Sequence, residues 1–251
     1  MRVTIHQPEH IPWLGFFHKI IKADQIILLD NVQFRKNYYQ NRNKIRTADG
    51  WTWITVPVKH DSETLIKDVT IASDKRWRKK WIDSIYFSYK KAKYFDNYSE
   101  GLIGIINDHS CNLTNLNTSL IKILCKFLKI EVDFVLASTL GVEGKGKGKG
   151  KGKDKGKGKD KGSDLILNIC RKTDAKVYHS GISGKDYLKT EDFADNGIKV
   201  IFQEFHHPIY KQQYEPFVSC MSIIDLLFNH GDKSLNVING IGVDVMEEVF
   251  F

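Results

Sequence analysis

An imidazole, an amide and a second imidazole come together in the turn His6-Gln7-Pro8-Glu9-His10, directly after the first apolar run of the chain. Either His6 or His10 could move a proton or steady a phosphate, because an imidazole titrates near neutrality. A structural bond to a backbone carbonyl is the competing use of both. A metal pair is not expected here, since Pro8 breaks helical spacing and no third ligand is in view. Asp30 and Gln33 form a second polar set after the next apolar run, and Ser180-Gly181-Ile182-Ser183-Gly184-Lys185-Asp186 forms a third after a late one. In the third set the two glycines let backbone amides approach an anion and Lys185 adds a point charge, which makes Ser180, Gly181, Gly184 and Lys185 candidate phosphate ligands. The Walker spacing is absent, and a glycine-rich turn with a solvated lysine accounts for the same residues without a ligand. Tyr39, Asn41 and Arg42 are a further donor-rich group. Arg42 could clasp a carboxylate or phosphate through two parallel hydrogen bonds, and a tyrosine could stack on a base or sugar ring; a surface hairpin is the alternative. Asp225 lies in an apolar helical pattern and needs a buried partner, such as Arg42 or a backbone cap.

These groups matter only if the elements before them bring them together. Residues 3–5 and 26–29 read as strands with a helix between them that opens after Pro12, a β-α-β unit whose strands must be parallel. Residues 52–58, 132–137, 176–179 and 198–205 are further strand candidates. Residues 73–130 carry helical spacing, with Trp77, Trp81, Ile85 and Tyr89 on one stripe, and read as a helical block inserted as a lid or flank. The expected fold class is α/β, a mostly parallel sheet flanked by helices, in a single domain over residues 1–251. In such sheets ligands gather outside the carboxyl ends of the strands, so the three polar sets are expected to share one rim.

Bulk composition narrows the function. The formal charge of +8 invites a nucleic-acid reading, but nine lysines against two aspartates in residues 145–162 carry +7 of it. The rest of the chain is close to neutral, and nucleic acid is not an expected partner. The lysine-glycine stretch, residues 144–162, cannot bury enough apolar area to offset ordering and reads as a flexible loop. Four cysteines without CxxC spacing read as buried free thiols in a reducing compartment. No secretory signal and no apolar run of roughly 20 residues is found, so the cytoplasm is the expected location. GxSxG, HExxH and Rossmann GxGxxG patterns are absent, which leaves hydrolase, metalloprotease and dehydrogenase readings without support.

The order HQP, PW-LGFFHKI, AD, LD-VQF and YQNRN over the first forty-odd residues, followed by WITVPV (residues 53–58), SGISGKDYL (180–188), HHPIYKQ (206–212) and SIIDLLFNHG (222–231), resembles the WbqC-like family of bacterial surface-polysaccharide gene clusters. The resemblance implies a transferase or ligase that modifies a nucleotide-activated amino sugar by acyl or aminoacyl transfer in O-antigen-type synthesis. It implies a small-molecule or nucleotide-sugar partner and ATP or a nucleotide-sugar as ligand. In that scheme Lys185 with the Gly181 and Gly184 backbone holds phosphate, Asn41 and Arg42 orient substrate with Gln7, Gln33 and Tyr39, and His6 or His10 moves the proton near Asp30. The opening unit is also similar, at the level of fold, to nucleotidyltransferase (HUP-like, Rossmannoid) domains. The two histidines of their HxGH turn would fall on Trp13 and Phe16, which permits the other reading, a non-catalytic nucleotide- or sugar-binding module.

Overall fold

The computed structural model describes residues 1–74, 76–142 and 158–246, with the backbone alone for 158–161. Strand β1 (Arg2–His6) leads through α1 (Leu14–Ile21) into β2 (Gln25–Leu28). A hairpin follows, β3 (Arg42–Thr47) and β4 (Gly50–Thr55), antiparallel with Thr47 opposite Gly50, where a backbone φ of +123° suits glycine. Two short strands, β5 (Val58–Lys59) and β6 (Thr70–Ile71), pair antiparallel ahead of the helices α2 (Arg76–Tyr89), α3 (Phe95–Asn107) and α4 (Leu113–Phe127). Asn112 caps α4 by accepting the Asn115 amide at 3.0 Å. The chain then returns through β7 (Asp133–Leu136), α5 (Gly158–Lys172), β8 (Val177–Ser180), α6 (Thr190–Asp195), β9 (Lys199–Phe202), α7 (Ile223–His230) and α8 (Ser234–Ile238).

The main sheet has the order β7-β2-β1-β8-β9, and every pairing in it is parallel. Successive strands move outward from β1 to one edge and then from β8 to the other, so the order reverses between β1 and β8. Side chains alternate across the sheet as the strand period requires. Ile26 and Leu28 join α1 through α4, α7 and α8 in the larger apolar cluster. Val3, Ile5 and Ile27 point the other way, into a smaller cluster with Ile166, Ile169 and Cys170 of α5 and Phe193 of α6. The protein is thus an α/β structure with a five-stranded parallel sheet and helices on both faces.

Some local expectations change. Strand β3 is not among the expected strands, because two of its three buried positions are polar: Asn43 and Arg46 are 0% and 1% exposed, with Ile45 between them. Helix α5 begins at Gly158, inside the stretch expected to be a flexible loop, and Ser163 lies in it with its hydroxyl accepting the Lys189 amide at 3.0 Å. The remainder of the expected lysine-glycine loop, residues 144–157, lies outside the described residues. Three cysteines are buried, but Cys111 is exposed. No helix among the described residues is long and apolar enough to cross a membrane.

Candidate functional site

His6 ends β1 and Ser180 ends β8, and these strands are neighbours at the point where the sheet order reverses. Two adjoining cavities of about 320 and 260 Å³ open there, sharing His6, Glu9, Lys19, Tyr38, Gly181 and Ser183. A crevice at the strand carboxyl ends, where two chain halves diverge, is the expected ligand position in an open parallel sheet. Trp13, Phe16 and Tyr39 wall one cavity, while Gln7, Ser180 and Gly184 line the other. A larger cavity of about 630 Å³ lies against Gly141, Val142, Asn168 and Arg171 and gathers none of the candidate side chains among the described residues.

The turn that carries Glu9 is irregular and buried, so its backbone polar groups must find partners in the protein. Asn117 of α4 donates to the Pro8 carbonyl at 2.9 Å and to the Gln40 carbonyl at 2.7 Å. Asn43 donates to the carbonyls of His10 and Ile11 at 3.1 and 3.0 Å, and Ser222 donates to Ile11 at 2.6 Å. Ile11 is held at φ +37°, a strained value for a β-branched residue, and these bonds secure it. The His10 amide also donates to the Tyr39 carbonyl at 2.9 Å, which ties the turn to the segment carrying the cleft tyrosines.

Three titratable groups meet inside the cleft. Glu9 is 7% exposed and its Oε2 has no hydrogen-bond partner; burial pushes its carboxyl up to about 7, while the charge of Lys19 pulls the other way. Lys19 is 3% exposed and donates to the Ile5 carbonyl at 3.0 Å; burial brings its amine down to about 7, partly offset by Glu9. His6 has its Nδ1 3.0 Å from the Gln7 carbonyl and 3.9 Å from Glu9 Oε1. A carbonyl can only accept, so Nδ1 carries the hydrogen and Nε2 keeps its lone pair. Burial, with the Lys19 charge adding and the Gln7 carbonyl opposing, holds this imidazole well below its ordinary range. At neutral pH His6 is therefore a neutral hydrogen-bonding group, and the proton that moves easily belongs to the Glu9–Lys19 pair.

The structure brings His6, Gln7, Tyr39, Ser180, Gly181 and Gly184 to the cleft and takes the other candidates elsewhere. Gly184 is closely packed, since a Cβ there would lie 2.1 Å from the Ser180 hydroxyl and push it aside; its amide is already used, donating to the Gly181 carbonyl at 3.0 Å. Lys185 is exposed, with its amine 5.8 Å from the Phe202 ring centroid. His10 is fully buried: Nδ1 meets Asn117 Oδ1 at 3.1 Å and Nε2 accepts from the Trp81 indole at 2.9 Å, so both nitrogens are committed to the core. Asp30 caps the turn after β7, accepting the Ser138 amide and hydroxyl at 2.8 and 2.7 Å. Gln33 donates to the Ser62 carbonyl. Asn41 donates to the Val56 carbonyl at 2.9 Å, and the Arg42 guanidinium stacks 4.1 Å from the Trp53 ring while donating to the Asn37 carbonyl. Asp225 is fully buried and takes hydrogen bonds from Tyr210 and Gln212, both at 2.9 Å, rather than from Arg42. Its buried cation is Arg46, which donates to Gln212 at 3.3 Å.

Glu9 and Lys19 were not singled out from the sequence. A signal existed for Lys19, a charge on the apolar face of LGFFHKII, the same anomaly that marked Asp225. For Glu9 there was none, because burial of an irregular turn leaves no periodicity.

Comparison with known proteins gives the same frame. The model of the WbqC-like protein family matches residues 7–237. A Mycobacterium tuberculosis (strain ATCC 25618 / H37Rv) protein described as "Uncharacterized protein Rv1507c" is 32% identical over 243 residues, covering 93% of this chain and 95% of that one. No solved structure matches the chain.

Proposed function

Because the chain belongs to the WbqC-like protein family, we propose that it is a transferase or ligase that places an acyl or aminoacyl group on the amine of a nucleotide-activated sugar, in surface-polysaccharide synthesis of the O-antigen type. The observation that carries this reading is Glu9: a carboxyl 7% exposed, with one oxygen lacking a partner, beside Lys19 in a cleft at the sheet's switch point. As an amine attacks the carbonyl carbon of an acyl thioester or an acyl phosphate, the new C–N bond forms and the C–S or C–O bond breaks, releasing the thiol of CoA or the phosphate leaving group. The nitrogen must lose a proton. A carboxyl poised at about 7 is matched to receive it. Lys19 supplies positive charge for the oxygen that becomes negative as the acyl carbon is attacked, and His6 contributes a hydrogen bond rather than the proton transfer. Tyr38, Tyr39 and Trp13 offer ring faces to the sugar or base, and the turn after β8 lies where the phosphates of a nucleotide would reach the sheet rim. Thermal shift and calorimetry with ATP, acyl-CoA and nucleotide-sugars test it. Stabilisation by a nucleotide-sugar together with ATP indicates a ligase and with acyl-CoA an acyltransferase; no shift with any of them removes the reading.

The second reading, a binding module without turnover, draws on the aromatic pair at the two HxGH positions: Trp13 packs over Gly15, whose Cβ would lie 2.3 Å from that ring, and Phe16 sits 4.8 Å from His6. On that reading Glu9→Gln alters binding and there is no product to lose.

A further inference from the structure

A second cleft, about 350 Å³, lies on the α1 face of the sheet, lined by Arg2, His18, Lys22, His179, Ile201 and Glu204. Gln203 and His18 separate it from the cleft holding Glu9. Gln203 Nε2 donates to the Gly15 carbonyl at 2.8 Å and lies 3.1 Å from His18 Nδ1, so that His18 nitrogen accepts and its hydrogen resides on Nε2. His179 comes from the middle of β8 and is 6% exposed, and its Nδ1 has no hydrogen-bond partner. A buried ring nitrogen left unpaired costs free energy that a ligand could recover.

The lining of this cleft carries two cations against one carboxylate. Arg2 from the start of β1 reaches the last turn of α1, donating to the Lys22 carbonyl at 3.1 Å, and Lys22 adds its amine at the rim. Against these cations stands Glu204 alone among the lining residues; the nearby Asp24 carboxylate already accepts the Arg2 amide at 2.7 Å. No group of three His, Cys, Asp or Glu side chains among the described residues could hold a metal, and the excess of cations here would repel one. From this geometry we infer that the cleft between α1 and strands β8 and β9 binds an oxyanion of the phosphate class, with Arg2 and Lys22 as charge partners and His18 and His179 as hydrogen-bonding floor.

The imidazoles add a pH signature. Burial lowers His18 first, with Lys22 and His179 adding; burial likewise lowers His179, with the charges of Lys19, Arg2 and Lys22 adding and a contact to the Lys19 backbone opposing. An anion reverses the sign of the field, so binding draws protons onto these rings and strengthens as pH falls. This site does not depend on the transferase reading, since it requires no chemistry in the neighbouring cleft.

Inorganic phosphate and pyrophosphate are titrated into the full-length protein at physiological salt, following the ring protons of His18 and His179 by NMR and the heat of binding. Saturable shifts of both rings are expected, with titration midpoints moving to higher pH. Arg2→Gln with Lys22→Gln, both at exposed positions, should weaken affinity at least about tenfold. Following the two rings distinguishes this cleft from phosphate held by the lysine-glycine stretch. Rings that do not move in tens of millimolar phosphate, or a double variant that binds as tightly as the parent, would overturn the inference.

Discussion

Replacing Glu9 with Gln should change how stability depends on pH. The folded protein holds the Glu9 proton more tightly than the unfolded chain does, because burial moves the carboxyl from 4.5 to about 7. A raised carboxyl of this kind favours the fold fully below the unfolded value, and that contribution is lost as pH rises through the folded value. At about 1.4 kcal/mol per pH unit the loss amounts to about 3 kcal/mol between pH 4 and pH 8. Glutamine keeps the size of the side chain and cannot ionise. The variant should therefore match or fall slightly below the parent in acid and overtake it by about that amount at pH 8, where the Lys19 amine is mostly neutral in both. Urea unfolding of parent and variant at each pH gives the difference directly; groups that do not feel the Glu9 charge cancel in it, while Lys19, which loses that charge in the variant, is lowered further. If the two profiles run parallel from pH 4 to pH 8, Glu9 titrates as an ordinary carboxylate and the case for it as a proton acceptor falls.

His10→Ala leaves the Trp81 indole and the Asn117 amide oxygen without their partner, at a cost of about 2–4 kcal/mol, visible as a lower Tm; ligand affinity measured below that Tm should hold, and its selective loss would put His10 back among the functional groups. Gly184→Ala puts a methyl 2.1 Å from the Ser180 hydroxyl and 2.9 Å from Leu188 Cδ1, so both side chains must swing aside at a buried position, costing about 1–3 kcal/mol in denaturant unfolding; an unchanged midpoint would mean that they move aside without loss.

Alternation of strand and helix carried the fold into the sequence, because a buried parallel strand needs an apolar run and an amphipathic helix needs its stripe. Residues 3–5, 26–29 and 176–179 were legible on that basis and became the heart of the sheet. Strand β3 was not, since Asn43 and Arg46 are buried by virtue of hydrogen bonds that only the folded chain supplies. The same distinction divides the site. Polar residues at strand ends pointed to the rim, and His6, Gln7, Ser180 and Gly181 reached it. Polar residues in the motif YQNRN and at His10 look identical in sequence, yet Asn43 and His10 are spent on holding the turn and the helices together. Which use a polar side chain serves depends on neighbours more than 30 positions away, and no spacing rule records that. Lys19 and Glu9 emerged only once burial was known, being 3% and 7% exposed.

Binding of a small molecule in the β1–β8 cleft is tested most directly at Gly181. This residue lines both cavities, its φ of −67° suits any amino acid, and a Cβ there meets nothing within 4 Å. Gly181→Leu should fill the cleft while leaving the Tm of the free protein close to that of the parent. Calorimetry with the nucleotide-sugar that stabilises the parent should then show binding abolished in the variant, whereas undiminished affinity in a folded Gly181→Leu protein would place the ligand somewhere else.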